Sequence, residues 1–233
     1  MKVVVLTGAG VSAESGIKTF RDRDGLWEGH RIEEVATVEA FSNQPAMVHE
    51  FYNLRRRQLA EVKPNAAHEA LVRLENHLGD DFLLITQNVD DLHDRAGSRR
   101  LLHMHGELLK KRCFWCGDVS ACEPNDDLSV ADSCPACGDK RGMRPDIVWF
   151  GEMPYHLDAI GSALMEADVF VAIGTSALVY PAAMFFKAAA AHGARTVEVN
   201  LAQTGRSSEF DERLEGPASE MVPRLVEKLI GQR

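Results

Sequence analysis

The chain has 233 residues, 45% of them hydrophobic, with a formal net charge of -9, enough for one sizeable core with small insertions. An acidic balance without a lysine or arginine block argues against a surface for nucleic acid or anionic lipid. No run approaches the roughly 20 apolar residues of a membrane span, and the opening MKVVVLT lacks the length and cleavage site of a signal peptide. The expected setting is soluble and cytoplasmic, without nucleic acid or membrane as partner.

The first element is the apolar run Val3 to Leu6, read as a buried strand, followed by TGAGVSAESG. An apolar run ended by glycines that open a helix is the pattern of a dinucleotide-binding turn. Gly8, Ala9 and Gly10 would bring backbone and amide hydrogens to a pyrophosphate at a helix N-terminus, where the dipole favours anions. Ala13 stands where the third glycine is expected, allowing close helix–sheet packing. A Walker loop is excluded, because its second glycine would fall at Ser15. A nicotinamide dehydrogenase would continue with a second strand ending in an acidic residue about 20 residues on. Here the chain enters a polar loop, KTFRDRDG, in which Arg21, Asp22, Arg23 and Asp24 alternate in sign.

Residues 31–62 read as helical without strands. Within EFYNLRRRQL, Tyr52 and Arg55 are three apart and share a helix face, while Arg56 and Arg57 look like a solvated basic surface. A helix is expected over Ala66 to His77, then a buried strand over Phe82 to Ile85. That strand runs into TQNVD, where Gln87, Asn88 and Asp90 supply amides and a carboxylate, residues equally suited to a turn or cap. In HMHGE, His105 can accept a proton near neutral pH, and Gly106 would permit close substrate approach. His103, two residues earlier, would face the same way on an extended segment.

Cys113 and Cys116, then Cys134 and Cys137, form two pairs with two residues inside each and 17 between them. This spacing matches a tetrahedral four-thiolate zinc site, and Gly117 and Gly138 follow each pair as a knuckle turn requires. Four thiolates leave no open coordination position, so the ion would be structural. Cys122 reads as a spare thiol. Further strands are expected over Ile147 to Phe150, Val169 to Ile173 and Thr196 to Val199, with helices over Ala159 to Glu166, Pro181 to His192 and Glu220 to Ile230. This alternation implies an α/β fold with a doubly wound parallel sheet, whose ligands bind beyond the carboxyl ends of its strands.

Taken in order, GAGVSAESGIKTFR, TQNVD, HGE, the cysteine pairs, VWFGE and GTS resemble the motifs of the sirtuin family across essentially the whole chain. One departure is Lys18, where many members have proline. The resemblance is to bacterial NAD-dependent protein lysine deacylases. It implies a single catalytic domain over 1–233: a Rossmann-like parallel sheet from about 1–30, 63–110 and 144–233, and a smaller lobe made of a helical insertion, about 31–62, and a zinc-binding module, about 111–143. It implies NAD as a consumed co-substrate and one structural zinc ion held by Cys113, Cys116, Cys134 and Cys137.

In the family's reaction the acyl-lysine carbonyl oxygen attacks C1′ of the nicotinamide ribose, and nicotinamide leaves. A histidine, here His105, then activates a ribose hydroxyl, giving O-acyl-ADP-ribose. By resemblance, Asn88 and Asp90 share the catalytic loop with Gln87, and Phe20 and Arg21 close over the cofactor. Gly174, Thr175, Ser176, Asn200 and Ala218 would line its adenosine side. Val148, Phe150, Gly151 and Glu152 would receive the acylated protein as an added strand. Tyr52 and Arg55 resemble the pair by which the desuccinylase and demalonylase subgroup, class III, grips an acidic acyl group. Three other readings are weighed: protein ADP-ribosyl transfer, a dehydrogenase with structural zinc, and a zinc-ribbon binding module using Lys110, Lys111, Arg112 and Trp115. The missing ribose-binding strand and the overall acidity count against the last two.

Overall fold

A computed structural model describes residues 1–18, 29–140, 142–176 and 179–231. The first strand, β1 (Val3–Thr7), is buried along its whole length. Helix α1 (Ile32–Val35), α2 (Val38–Asn43), α3 (Pro45–Gln58) and α4 (Ala66–Leu78) follow, then β2 (Phe82–Thr86), α5 (Leu92–Ala96) and β3 (Leu101–His103). Next come β4 (Gly106–Cys113), β5 (Val119–Ala121), β6 (Met143–Ile147), α6 (Leu157–Glu166) and β7 (Val169–Ile173). The chain closes with α7 (Phe185–Ala191), β8 (Arg195–Asn200), β9 (Glu212–Glu215) and α8 (Ala218–Ile230).

Six strands form one parallel sheet in the order β3-β2-β1-β7-β8-β9. The strand order reverses between β1 and β7, a switch point that opens a crevice at the carboxyl edge. Register aligns that edge: Thr7 lies opposite both Thr86 and Ile173, and Ile173 opposite Val199. The loops that begin at Gly8, Gln87, Gly174 and Leu201 therefore leave the sheet side by side. Odd residues of β1 face α4 and α8, and even residues face α6 and α7. Leu71 and Leu74 on α4 are about 1% exposed, and burial of each contributes about 1.5–3 kcal/mol. Asn65 starts α4 by accepting from the Ala67 amide, while His68 reaches back to the Asn65 amide.

Strands β5, β4 and β6 form a separate antiparallel sheet. Its inner residues Leu108 and Ile147 pack with Phe41, Val48, Phe51, Tyr52 and Trp149. Arg56, expected on a solvated face, is instead wholly buried. Its Nε donates to the Leu108 carbonyl at 2.8 Å, and its guanidinium also reaches Asn53 and the Asp126 carbonyl. A buried guanidinium needs such partners, and here they tie α3 to the cysteine-bearing segment. Arg57 stays on the surface and pairs with Asp127 at 2.7 Å.

Three expectations require correction. The apolar run Ile147 to Phe150 is not a strand of the parallel sheet. The strand is β6, Met143–Ile147, antiparallel to β4, and its charged residues are buried because each has a partner: Arg144 has Glu152, and Asp146 has Tyr155. The chain after β1 does not open an α-helix. It makes two 3-10 turns, Ala9–Val11 and Ala13–Ser15, the second ended by left-handed Gly16 at φ 100°. Pro181 to His192 divides into a 3-10 turn, Ala182–Met184, and α7. The remaining expected strands and helices occur within a few residues of their bounds, and β3, β4, β5 and β9 were not anticipated.

Candidate active site

The crevice at the carboxyl edge is a cavity of about 1040 Å³. On its sheet side it is lined by Gly8, Ala9, Gly10, Ala13, Gln87, Asn88, Asp90, Gly174, Thr175, Ser176, Asn200 and Ala218. Its opposite wall includes Tyr52, Arg55, Val148, Phe150, Gly151 and Glu152, and His105 lies on the same lining. Phe20 and Arg21 fall outside the described residues.

The glycines after β1 serve a purpose other than the one expected. Gly8 donates its amide hydrogen to Ile173 O and Gly10 to Gly174 O, both at 2.9 Å, so neither amide is aimed at an anion. A Cβ on Gly10 would stand 2.6 Å from Gly174 Cα, closer than carbon atoms approach. Glycine is required there because the turns after β1 and β7 touch backbone to backbone. Thr175 sits at the contact: Gln87 Nε2 donates to its hydroxyl at 3.0 Å and Asn200 Nδ2 to its carbonyl at 2.8 Å. Gly8, Gly10, Gln87, Gly174, Thr175 and Asn200 are thereby joined into one wall. Glu14 extends it by accepting from the Ser219 amide and hydroxyl at 2.9 and 2.7 Å, which fastens the start of α8, and so Ala218, to the glycine turn.

Behind Asn88 and Asp90 lies a residue the sequence reading did not single out. Ser12 is wholly buried. Its hydroxyl accepts from Asn88 Nδ2 at 3.1 Å and donates to Asp90 Oδ2 at 3.1 Å. His68 Nδ1 accepts from the Asn65 amide, so its Nε2 carries the proton that faces Ser12 Oγ at 3.5 Å. Burial drives the His68 pKa down to about 4 and keeps that ring neutral. The serine has one proton and gives it to Asp90. Burial also pushes the Asp90 carboxyl up to about 6, against hydrogen bonds from Leu92 N and Ser12. Its partners fix Asp90 where it is costly to ionise.

His105 occupies the turn between β3 and β4. Its Nδ1 is 3.1 Å from the Gln87 carbonyl oxygen. A carbonyl can only accept, so Nδ1 holds the proton and the neutral ring presents a bare Nε2. Burial holds the imidazole below its ordinary pKa, and the Gln87 hydrogen bond opposes that only in part. His103 does not share this role: its Nε2 pairs with Asp94 at 3.1 Å. Gly106 follows at φ 82°, and a Cβ there would collide with the Asp146 carbonyl. Its glycine serves the close pairing of β4 with β6, where close approach of substrate was expected.

On the far wall, Phe150 bridges to Thr37 outside any strand. Glu152 accepts two hydrogen bonds from Arg144, at 2.7 and 2.8 Å, and one from the Trp149 amide. Burial alone would raise its pKa, but these donors hold the carboxyl below the ordinary value. Glu152 therefore shapes the loop that borders the cavity. Tyr52 and Arg55 do share a face of α3 and meet the same wall. The Tyr52 oxygen accepts from Trp149 Nε1 at 2.9 Å. Arg55 lies 3.4 Å over the Phe51 ring and donates to the Phe51 carbonyl.

The cysteines converge as their spacing implies. All four sulfurs lie within 4.8 Å of one another, with Cys113–Cys137 and Cys116–Cys134 at 3.7 Å. Sulfurs about 2.3 Å from one tetrahedral ion stand about 3.8 Å apart, so the cluster fits a structural zinc ion. Each pair forms a knuckle of the same shape. Gly117 N donates to Cys113 O and Gly138 N to Cys134 O, and both glycines have φ 74°. Cys122 lies apart, buried against the Leu108 carbonyl.

Comparison with known proteins agrees with this arrangement. A match to the Sir2 family covers residues 8–181. A protein of Salmonella typhimurium named NAD-dependent protein deacylase is 56% identical over 231 residues, spanning 98% of this chain and 84% of the relative. A Sir2 homologue variant solved with ADP-ribose superposes with a TM-score of 0.91 at 41% identity, covering 100% of this chain and 94% of that one. A Sir2 homologue in complex with NAD gives 0.87 at 40% identity, covering 98% and 90%. With the family match spanning residues 8–181 and a relative 56% identical over 98% of the chain, the chain belongs to the Sir2, or sirtuin, family.

Proposed function

We propose that the protein removes acyl groups from protein lysines at the expense of NAD, releasing nicotinamide and O-acyl-ADP-ribose, and that it accepts succinyl or malonyl groups as well as acetyl. One observation carries the reading: a single cavity joins the wall of Thr175 and Asn200, the neutral His105 and the Tyr52–Arg55 face, in a chain 56% identical to a named NAD-dependent deacylase.

The roles are those the family resemblance implies, fitted to this geometry. Gly8 to Ala13, Gly174 to Ser176, Asn200 and Ala218 form the cofactor side. Asn88 and Asp90, braced by Ser12, face the nicotinamide ribose. His105 Nε2 takes a proton from a ribose hydroxyl, the act of a general base. The segment from Val148 to Glu152 receives the substrate main chain, and the Arg55 guanidinium grips the acyl carboxylate while the Tyr52 phenol donates a second hydrogen bond. The two sheets divide the work, the parallel sheet holding NAD and the helical and zinc-bearing parts shaping the acyl pocket. A cytoplasmic setting suits five cysteines none of which forms a disulfide.

The test is mass spectrometry of matched acetyl- and succinyl-lysine peptides, with and without NAD. NAD-dependent loss of both groups is expected. Arg55→Met should lower succinyl removal about 10- to 150-fold, the effect of losing a hydrogen-bonded charge partner. Loss of acetyl removal with succinyl removal intact would overturn the assignment of Arg55.

A further inference from the structure

Trp149 sits between the acyl wall and the ion pair of buried Arg144 on β6 with half-buried Glu152. Its indole N–H donates to the Tyr52 oxygen at 2.9 Å. The ring cannot easily turn away. The Arg144 guanidinium lies 3.4 Å over its centroid, and Phe41 packs at 5.2 Å. Arg144 is held in turn by both oxygens of Glu152 and by the Ile147 carbonyl. A cation over the indole draws electron density from the ring and strengthens its N–H as a donor.

An indole nitrogen can only donate, whereas a phenol can donate or accept. Where Trp149 donates, the Tyr52 oxygen is the acceptor, and what the phenol offers any further partner is its own proton. Burial raises the Tyr52 pKa far above the ordinary tyrosine value, so that proton is retained throughout the working range. We propose that Trp149 is a specificity-determining positioning residue, its N–H fixing the Tyr52 phenol as a donor toward the carboxylate of an acidic acyl group. The inference rests on the acidic-acyl reading given above. It assigns discrimination to a residue that touches no substrate through its indole nitrogen, and it gives a reason for the buried Arg144 and half-buried Glu152 to pair beside the acyl wall.

The experiment compares kcat/KM for matched succinyl- and acetyl-lysine peptides in wild type, Trp149→Phe, Tyr52→Phe and the double variant. Trp149→Phe keeps an aromatic ring under Arg144 and removes the donor. The succinyl-to-acetyl ratio should fall about fivefold, the effect of one neutral hydrogen bond, and the fall should lie in KM for the succinyl peptide. In the Tyr52→Phe background the same change should lower the ratio no further, because the two groups act as one unit. Benzothienylalanine at position 149, which replaces the N–H by sulfur in a ring of the same shape, gives the same readout should phenylalanine pack poorly. An unchanged ratio in both position-149 variants, or independent losses that multiply with Tyr52→Phe, would overturn the inference alone. Absence of succinyl and malonyl removal by the wild type would overturn the acidic-acyl reading and the inference together.

Discussion

The His105 ring donates its Nδ1 proton to the carbonyl oxygen of Gln87 at 3.1 Å, which leaves Nε2 as the basic atom of the turn. Burial lowers the pKa of this ring below 6.5, so the base form persists at neutral pH and is lost only as pH falls through the lowered value. In a pH profile, kcat/KM should rise with a midpoint below 6.5 and be flat from pH 7 upward, and His105→Ala should lose about 100- to 10,000-fold. An acid limb centred at or above pH 7 would contradict the tautomer and shielding derived for His105.

Asp90 links the same site to stability. Its carboxyl is raised from 3.8 to about 6, so between those values the folded protein binds a proton that the unfolded chain has released. Stability therefore falls as pH rises through this window, by about 3 kcal/mol once the group is fully ionised. Asp90→Asn has no such titration. Urea unfolding at pH 5 and pH 7.5 should show wild type doing better against the variant at pH 5 than at pH 7.5. A difference independent of pH would mean that Asp90 is not strained by burial.

Gly106 joins the histidine turn to β4 at φ 82°, with no room for a Cβ against Asp146. Gly106→Ala carries both the left-handed backbone cost and the displacement of β6, together about 2–4 kcal/mol. Chemical denaturation should show that loss. Activity should fall further than stability alone explains, because the shift moves His105, whose carbonyl accepts from Val148 N at 2.8 Å.

These relationships divide what could be read in the sequence from what could not. The cysteine spacing was legible because local knuckle geometry demands it, and the order of the loops and the histidine before glycine were legible through their resemblance to the family's motifs. Gly10 was legible as a required glycine, yet its reason, the Gly174 backbone, lies far along the chain. Arg56 looked solvated because its partners Leu108 and Asp126 come from another sheet and loop. Ser12 gave no signal beyond a small polar residue in a turn. Its importance comes from Asn88 and Asp90, brought to it by parallel register of β1 and β2. Trp149 read as part of a strand because an aromatic apolar run carries no sign of a donor aimed 97 residues back at Tyr52.

The cysteine cluster holds both strands that end at the active site. Strand β4 runs from Gly106, beside His105, to Cys113, and β6 runs from Met143, packed on Cys113 and Cys134, to Ile147, two residues before Trp149. Zinc held by four thiolates supplies folding energy directly, about 10–16 kcal/mol in zinc-finger peptides. Purified protein should carry one zinc per chain by elemental analysis. Stripping it with a strong chelator should lower the melting temperature and cut deacylation more than tenfold, since His105 and the cavity wall around Trp149 lose their common support. Returning zinc to chelated protein should restore activity, whereas Cys134→Ser should resist rescue because its fourth ligand is gone. Metal-free protein with full activity would show that β4 and β6 hold the site without the ion.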